Sequence, residues 1–299
     1  MVRAKVLGKS PAGAYIRLNA ALSSRLPRSV TESRLLRGYC RLLHALVLLQ
    51  SQRTHYVGTF FFRNRAELEL IRRLAGSNGE ARSVRMTILG CSNGAQVYSI
   101  LWTLRSSLPD LHLTVHATDI SEEMLNAARE GAYPRSLLRS TSEPIFERMT
   151  ADEKRALFDV EGDRLKVKSW IKNDIIWDIA DARDPLIIDN LGQQDIVIAD
   201  NFLCHMEPPE AERCLRNISR IVRPGGHLFI SGIDLDVREK VAKELGWRPV
   251  PDLLEAIHDG DPSVRLSWPS NYWGLEPLDR TRRDWRVRYA SVFQLGAEH

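Results

Sequence analysis

The chain has 299 residues, of which 43% are hydrophobic and 27% are charged, and these proportions are those of a globular protein with a sizeable core. Its formal net charge of +4 at pH 7 is small for this length, so charge alone gives no reason to expect a nucleic-acid partner. The longest apolar run near the start, residues 45–49, is too short to span a bilayer and the N-terminus lacks the apolar region of a signal peptide, so we expect a cytoplasmic protein without membrane insertion.

The four cysteines, Cys40, Cys91, Cys204 and Cys214, form no CxxC pair. This spacing argues against a zinc knuckle and against a disulfide scaffold. We expect reduced thiols, most of them buried, and no metal site.

Residues 1–30 carry scattered arginines and lysines without a sustained period, which predicts a loosely ordered lead-in. From Thr31 the pattern changes, because apolar residues recur at steps of three and four. The pattern predicts an amphipathic helix that is capped by Thr31 and whose apolar positions are Leu35, Leu36, Tyr39, Leu42, Leu43, Leu46 and Val47. We interpret residues 1–57 as a helical N-terminal lead-in that packs on a main domain of residues 58–299.

The main domain begins with three adjacent phenylalanines beside an arginine, in Thr59-Phe60-Phe61-Phe62-Arg63. A helix follows and ends at Gly76. In one interpretation the phenylalanines anchor this helix and Arg63 is solvated. In the other, Arg63 faces a carboxylate, which a guanidinium binds with a two-pronged geometry that lysine lacks.

A strand, a glycine turn and a helix come next. Residues 85–89 form a short apolar run, Gly90 and Gly94 lie four positions apart in a polar turn, and residues 95–104 have the apolar spacing of a helix. This order of elements lets a nucleotide-like ligand approach the backbone, with helix N–H groups pointing at it. The same order also occurs in proteins without a ligand.

The next predicted strand, residues 113–119, ends on Asp119, 29 positions after Gly90. That position suits an acid that accepts hydrogen bonds from ribose hydroxyls. The alternative is that Asp119 only caps the helix that follows Ser121.

The remaining pattern alternates strands and helices. Apolar runs and breakers predict strands at 163–167, 174–178, 195–201, 227–231 and 285–293, and helices at 151–158, 209–222, 237–245 and 253–258. The strand that ends at residue 201 has two polar residues, Asp200 and Asn201, at its tip, where ligands of open α/β sheets gather. Over residues 85–299 the alternation predicts one doubly wound, mostly parallel α/β sheet.

Several motifs together resemble the CheR-type chemotaxis receptor methyltransferases. They occur in that family's order over about residues 57–232, and they are Thr59-Phe60-Phe61-Phe62-Arg63, Gly90-Cys91-Ser92-Asn93-Gly94 with Tyr98-Ser99, Ala117-Thr118-Asp119-Ile120-Ser121 with Leu125, Ala128, Gly131 and Tyr133, then Asn201 and Pro224-Gly225-Gly226. The resemblance implies a class I methyltransferase fold with an antiparallel last strand and a short N-terminal helical segment. It also implies S-adenosylmethionine as cofactor, S-adenosylhomocysteine as product, and a glutamate side-chain carboxylate as acceptor.

The resemblance assigns a role to individual residues. Thr59 and Arg63 would lie near the methionine end of the cofactor, and Gly90, Cys91, Ser92 and Gly94 would pass beside it, with Gln96 at the methionyl amino group. Asp119 would hold the ribose, next to Ile120. Asp178 and Ile179 would flank the adenine, and Asn201 and Phe202 would line the pocket near the reacting methyl group.

The chain also departs from the family pattern. Ala95, Gln96 and Val97 stand where the family has two glutamates and a proline, and Ala199-Asp200-Asn201 followed by His205 stands where it has Cys-Arg-Asn followed by a tyrosine. The family's N-terminal helical domain is reduced to one recognisable helix. After residue 232 the chain continues into a divergent C-terminal extension with Trp268, Tyr272-Trp273-Gly274 and arginines 280, 282, 283, 286 and 288.

These departures leave the acceptor open. Our first hypothesis is carboxyl O-methylation of a small-molecule or peptide acid, in which Arg63, Asn201 and His205 are the candidate catalytic residues. A carboxylate is ionised at pH 7, so Arg63 would orient it and His205 would at most donate a hydrogen bond. Receptor glutamate methylation is the alternative that the family suggests.

Two further hypotheses use other chemistry. A hydroxyl or amine acceptor needs a base, and His205 is the nearby candidate, although it can equally be a residue that only lines the pocket. The chain can also be a module that binds the cofactor without transferring methyl groups.

The C-terminal extension permits two interpretations. The arginines from Arg280 to Arg288 form either a solvated face or an acid-binding rim over the site. Trp268, Tyr272 and Trp273 form either a lid or buried packing of the tail against the sheet.

Overall fold

The computed structural model of the protein describes residues 13–16, 18–19, 34–51, 53, 59–77, 83–139, 145–260, 268–273 and 275–296. The predicted cap Thr31, most of the lead-in and the boundary at residues 57 and 58 lie outside these ranges. Within them, none of the helices combines the length and the apolar character needed to cross a membrane.

A seven-stranded sheet forms the centre of the molecule, with strand order β6-β2-β1-β7-β8-β10-β9. Its strands are β1 Ser83–Leu89, β2 His112–Asp119, β6 Ile175–Ile179, β7 Gln194–Asp200, β8 Val222–Ser231, β9 Arg248–Pro249 and β10 Val292–Gln294. The five strands β6, β2, β1, β7 and β8 are parallel, and β10 is antiparallel to both β8 and β9. The predicted doubly wound, mostly parallel sheet with an antiparallel last strand is therefore confirmed.

Besides helical residues at 13–16 and 18–19, ten helices have defined bounds in the described part of the chain. They are α1 Arg34–Gln50, α2 Arg65–Gly76, α3 Ala95–Ser107, α4 Glu122–Glu130, α5 Ala151–Leu157, α6 Ile187–Leu191, α7 Pro208–Ile221, α8 Leu235–Glu244, α9 Leu254–Asp259 and α10 Trp285–Tyr289. Single-turn 3-10 segments lie at Arg135–Arg139, Ser169–Ile171 and Leu203–His205.

Apolar side chains cover both faces of the sheet, as its parallel strands require. One core layer joins α2 and α3 to residues of β1 such as Met86 and Ile88, and the other joins α7 and α8 to residues of β7 such as Val197. Each of these three strand residues is fully buried. Strand order reverses between β1 and β7, which opens a crevice at their carboxyl ends.

A second, antiparallel sheet combines β3 Ala132–Pro134, β4 Phe158–Glu161 and β5 Arg164–Val167 in the order β3-β5-β4. The sequence pattern predicted only β5. Phe61, Tyr133, Phe146 and Phe158 pack ring against ring beneath this sheet, with centroids 5.2–6.0 Å apart. Phe61 of the phenylalanine run is thus an anchor, as one interpretation expected.

Two predicted elements at the C-terminal side differ from the structure. The closing strand expected at 285–293 is the helix α10 followed by the short strand β10. Helical geometry suits this segment because Arg288 can then turn inward to Glu276 at 2.7 Å. Strand β8 begins at Val222, ahead of the expected Pro224-Gly225-Gly226 turn, and an irregular register opposite residues 194–196 of β7 accommodates the extra length.

Ion pairs join α1 to the segment that precedes α10. Arg41 contacts Glu276 at 3.3 Å and Asp279 at 3.2 Å, and Arg37 contacts Asp279 at 3.2 Å. Glu276 also accepts a hydrogen bond from the Tyr289 hydroxyl at 2.6 Å. The N-terminal helix is therefore connected to the C-terminal extension by ion pairs.

Candidate functional site

A cavity of about 310 Å³ opens at the carboxyl ends of β1, β2 and β7. Pockets for small molecules occupy about 300–1,000 Å³, so this one is of sufficient size. It is lined by Thr59, Arg63, Leu89, Gly90, Ser92, Gln96, Thr118, Asp119, Ile120, Ser121, Ala180, Asp181, Ala182, Arg183, Asp200, Asn201, Phe202, His205, Met206 and Glu210.

Asp119 holds the glycine turn in place. Its two carboxylate oxygens accept hydrogen bonds from the backbone N–H of Ser92 at 2.8 Å and of Ser121 at 2.9 Å. The side chain of Ser121, and not that of Asp119, caps α4 by accepting from the N–H of Met124. Asp119 therefore connects two turns at the cavity wall, and the alternative in which it only caps the helix is not what the structure shows.

Position 90 requires a glycine, both because of its backbone conformation and because the Phe202 ring lies close to it. Its φ of +66° lies in the left-handed region, and a Cβ there would come within 3.0 Å of the Phe202 ring. A side chain at position 90 would therefore displace Phe202 and narrow the cavity.

A hydrogen-bonded group of polar side chains joins the start of α3 to the ends of β7 and β8. The Gln96 amide donates to Asp200 Oδ2 at 2.6 Å, and the Ser231 hydroxyl donates to Asp200 Oδ1 at 2.8 Å. Asn201 Nδ2 donates to the Ser231 hydroxyl at 3.1 Å, and Asn201 itself has a φ of +61°. Such backbone strain occurs mostly where surrounding contacts fix a functional residue.

Arg63 reaches the cavity from the segment before α2. Its guanidinium lies 4.8 Å from the centre of the Phe60 ring, and Asn64, the next residue, caps α2 by accepting from the N–H of Glu67. The Arg148 guanidinium also lies over Phe60, at 5.5 Å. Arg63 thus lines the cavity from a segment held by aromatic packing and by the adjacent cap, and its contact with a carboxylate stays a prediction.

His205 lies on the 3-10 turn that follows β7. Its ring nitrogen Nδ1 is 3.0 Å from the hydroxyl of Tyr272 in the C-terminal extension. Tyr272 is only 9% exposed and stacks edge-on against Trp273. The aromatic residues of the extension therefore pack beside the site, and Trp273 keeps 40% of its surface exposed.

Most of the predicted site residues lie together around this cavity. They are Thr59, Arg63, Gly90, Ser92, Gln96, Asp119, Ile120, Asn201, Phe202 and His205. Cys91 lies behind the turn, where burial raises the pKa of its thiol, and Gly94 packs against Ala128 and Tyr98.

Asp178 and Ile179 do not line the cavity. They pair with Thr118 and Asp119 on the edge strand β6, where the Asp178 side chain is 53% exposed and Ile179 is 61% exposed. Because β6 continues through Ile179, the chain enters the cavity only with the four residues after it, from Ala180 to Arg183. The predicted contact of Asp178 and Ile179 with adenine stays a prediction.

Sequence reasoning missed three charged residues of the wall, Asp181, Arg183 and Glu210, and it noted Asp200 at a strand tip without giving it a role. Arg183 is paired with Asp181 at 2.6 Å and with Glu210 at 3.4 Å. The position of Asp200 at a strand tip was a usable signal. Asp181 and Glu210 gave none, because they meet at Arg183 only when the loop after β6 packs against the first turn of α7.

The charges of the wall favour a cationic ligand with hydroxyl groups. Four carboxylates, those of Asp119, Asp181, Asp200 and Glu210, face two guanidinium groups, those of Arg63 and Arg183. The buried hydroxyl of Thr118 has no hydrogen-bond partner within the described residues, although it borders the cavity. S-adenosylmethionine, which carries a sulfonium, an ammonium group and ribose hydroxyls, fits this set of side chains.

Comparisons with known proteins point to one family. The profile described as CheR methyltransferase, SAM binding domain, matches residues 58–241, which is more than half of the chain. The probable biofilm formation methyltransferase WspC of Pseudomonas aeruginosa is 27% identical over 177 residues, covering 58% of this chain and 40% of that protein.

Two relatives are named for chemotaxis. The chemotaxis protein methyltransferase of Vibrio parahaemolyticus is 27% identical over 157 residues, covering 50% of this chain and 53% of its own. Chemotaxis protein methyltransferase 2 of Pseudomonas aeruginosa is 29% identical over 183 residues, covering 58% of this chain and 61% of that protein. The chain thus spans about half the length of the curated relatives it matches.

Proposed function

Because the chain belongs to the family of CheR methyltransferase SAM-binding domains, whose cofactor is S-adenosylmethionine, we propose that it methylates a carboxylate of an acidic peptide or protein side chain. Two relatives with this domain are named chemotaxis protein methyltransferases, which favours a protein acceptor over the small-molecule acid of our first hypothesis.

The observation that carries the proposal is the position of Arg63. Its side chain lines the same cavity as Asn201 and His205, which supports a role for its guanidinium in binding the acceptor beside the cofactor. Guanidinium groups bind carboxylates through two parallel hydrogen bonds, which fixes both distance and orientation. An acidic side chain is the acceptor that this arrangement suits best.

The bound cofactor would supply a methyl group on a sulfonium, which leaves by direct displacement. The protein must then hold the acceptor oxygen in line behind that methyl group and keep water away. Arg63 would orient the carboxylate. Asn201, which donates a hydrogen bond to Ser231, would form the cavity surface beside that carboxylate. No general base is needed, since the acceptor is already ionised.

The remaining polar residues would bind the cofactor. Asp119 would accept hydrogen bonds from the ribose, and Asp200 together with the Gln96 oxygen would receive the methionyl ammonium group. Arg183 and its two acidic partners would border the adenine end. Each of these side chains borders the cavity.

Base-assisted methylation of a hydroxyl or an amine is the second candidate, because the imidazole of His205 lines the cavity. It requires an activity that falls as pH decreases through the imidazole pKa, near 6.5 in the absence of perturbation, and loss of that dependence in His205→Gln.

Transfer of a tritiated methyl group from S-adenosylmethionine tests the chemistry directly. Acceptors would be acidic helical peptides of receptor type, the same peptides with glutamine for glutamate, and small carboxylic acids. Carboxyl methyl esters release volatile methanol in alkali, whereas N-methyl products and ethers do not. Base-stable product would overturn the proposal, and calorimetric binding of S-adenosylhomocysteine without product from any acceptor would favour a cofactor-binding module.

Two substitutions of Arg63 test its role. Arg63→Lys keeps the charge but not the two-pronged geometry, and Arg63→Ala removes both. A hydrogen bond to a charged group contributes about 1.5–3 kcal/mol, so we expect kcat/KM for the acceptor to fall about 10–100-fold in Arg63→Ala. The kcat/KM of Arg63→Lys should lie between that of the natural protein and that of Arg63→Ala. Full turnover by Arg63→Ala would exclude the orienting role.

A further inference from the structure

Two residues outside the family-matched range 58–241 meet at the turn that carries His205. Arg53 precedes that range, and its side chain is only 3% exposed. Its Nη1 donates to the carbonyl oxygens of Cys204 at 3.1 Å and of Met206 at 2.7 Å, the two neighbours of His205. Its Nη2 donates to Asp234 at 2.8 Å. One guanidinium therefore holds the backbone on both sides of His205.

Tyr272, which follows the family-matched range, contacts the imidazole itself. Its hydroxyl lies 3.0 Å from His205 Nδ1, and the two rings meet edge to face with centroids 6.2 Å apart. Tyr272 packs with Val47 and Cys204, and its ring lies 4.6 Å from that of Trp273. The guanidinium of Arg53 lies 5.7 Å from the centre of the Tyr272 ring. The phenol is thus fixed by its own packing before it meets the imidazole.

We propose that Tyr272 is a positioning residue for His205, and that its hydroxyl donates to Nδ1 and keeps the proton of the neutral imidazole on Nε2. A phenol is a better donor than acceptor, because its oxygen lone pair is delocalised into the ring. The positive charge of Arg53 over that ring favours donation further. In a neutral imidazole one nitrogen donates and the other accepts, so an accepting Nδ1 makes Nε2 the donor.

The consequence concerns the acceptor. An imidazole with its proton on Nε2 donates a hydrogen bond from that nitrogen and does not remove a proton there. It suits a carboxylate acceptor, whose oxygen receives such a bond, and it disfavours the base-assisted route. This use of the tautomer depends on the proposed function, whereas the tautomer itself does not.

Long-range proton–nitrogen NMR spectra of the imidazole groups in the nitrogen-15-labelled full chain measure the tautomer. The signals of His205 are those that disappear in His205→Gln, and the spectra are recorded at a pH above the imidazole pKa. We expect the Nε2–H form of His205 in the natural protein. Tyr272→Phe keeps the ring and removes the hydroxyl, so it should convert His205 to a mixture of the two tautomers.

Tyr39→Phe is the matched control, because it removes a hydroxyl on α1 whose partners are Tyr15 and Asn19, and it should leave the His205 signals unchanged. The proposal is overturned if natural His205 carries its proton on Nδ1, or if its tautomer is the same in Tyr272→Phe. Where carboxyl methylation is measurable, Tyr272→Phe should lower kcat about tenfold with little change in the Kd of S-adenosylhomocysteine. Failure of the methyl-transfer assay alone would count against the proposed function and leave the spectroscopic result standing.

Discussion

At the scale of single residues, the residue types at positions 96 and 200 both differ from the family pattern, and the two side chains are hydrogen-bonded to each other. The resemblance expects a glutamate at 96 and an arginine at 200, whereas the chain has glutamine and aspartate. Gln96 donates to Asp200 at 2.6 Å, so the acidic group has moved from α3 to the end of β7. Asp200 is 6% exposed and its two hydrogen-bond donors, Gln96 and Ser231, are neutral. Its charge is therefore available to a cationic part of the cofactor.

We expect Asp200→Asn to weaken the binding of S-adenosylhomocysteine, which retains the ammonium group, by about 10–100-fold. The reason is the loss of a charge-assisted contact of about 1.5–3 kcal/mol. The double variant Gln96→Glu with Asp200→Asn returns the charge to α3 and should recover most of the affinity. Titration calorimetry measures the affinity of both variants for S-adenosylhomocysteine. Equal affinity of Asp200→Asn and the natural protein would disprove the role of Asp200 in binding the ammonium group.

The sequence supports residue-scale prediction unevenly, for a physical reason. Gly90 and Asp119 could be predicted because a turn and a strand tip leave a local signature in the order of residue types. The pairing of Asp181, Arg183 and Glu210 could not, because it joins the loop after β6 to the first turn of α7, which is distant along the chain. Asp178 was predicted to flank the adenine, but β6 ends at Ile179, one residue later than its pattern indicates.

At the scale of elements, α1 is held to the C-terminal extension by charges that surround Glu276. Burial alone would raise the pKa of this carboxyl, but the hydrogen bond and charge of Arg288 lower it below the usual value. A carboxyl whose pKa is lower in the folded than in the unfolded state stabilises the fold above the unfolded pKa, about 4.3. That contribution is lost as pH falls through the folded pKa.

Glu276→Gln removes the charge and keeps the shape. Arg288 and Arg41 then each lose one buried acidic partner, while Arg288 keeps Glu239 and Arg41 keeps Asp279. Breaking a buried pair costs about 3 kcal/mol, so the urea midpoint should fall clearly at pH 7. The difference between the variant and the natural protein should shrink as pH is lowered below about 4. Glu212→Gln is the control, because its pairs with Arg216 and Lys240 lie at the surface, and its midpoint should barely change.

The elements predicted best are those with a long and consistent period. Strands β1, β2 and β7 follow their apolar patterns closely. Helix α1 forms where its pattern predicts and buries Leu43 and Val47, but the predicted apolar positions Tyr39 and Leu42 are exposed. The tail was predicted wrongly, because alternation over a few residues also fits a single helical turn whose arginine points inward, as Arg288 does. Strands β3 and β4 are only three and four residues long and are stabilised by rings from elsewhere in the chain, so no local pattern marks them.

At the scale of the whole molecule, the family-matched range is smaller than the folding unit. Strand β10 lies between β8 and β9, and its residue Phe293 is fully buried, as is Tyr289 of α10. A fragment of residues 58–241 would therefore expose one edge of β8 and lose part of the second core layer. We expect it to aggregate or to give poorly dispersed NMR spectra. A fragment of residues 58–296 should fold with reduced stability, and a cooperative thermal transition of the shorter fragment would show this reasoning to be wrong.

The position of β10 between β8 and β9 also affects the order in which the sheet can assemble during synthesis. The chain emerges from the ribosome N-terminus first, and β10 is the last strand along the described part of the sequence. Until residue 294 has emerged, β8 presents an unpaired edge, which is a template for pairing with other chains. Tyr272 emerges almost as late, so the wall beside His205 is also among the last parts to assemble. During synthesis the edge of β8 therefore stays open until β10 is made, and we expect the contact between Tyr272 and His205 to form among the last.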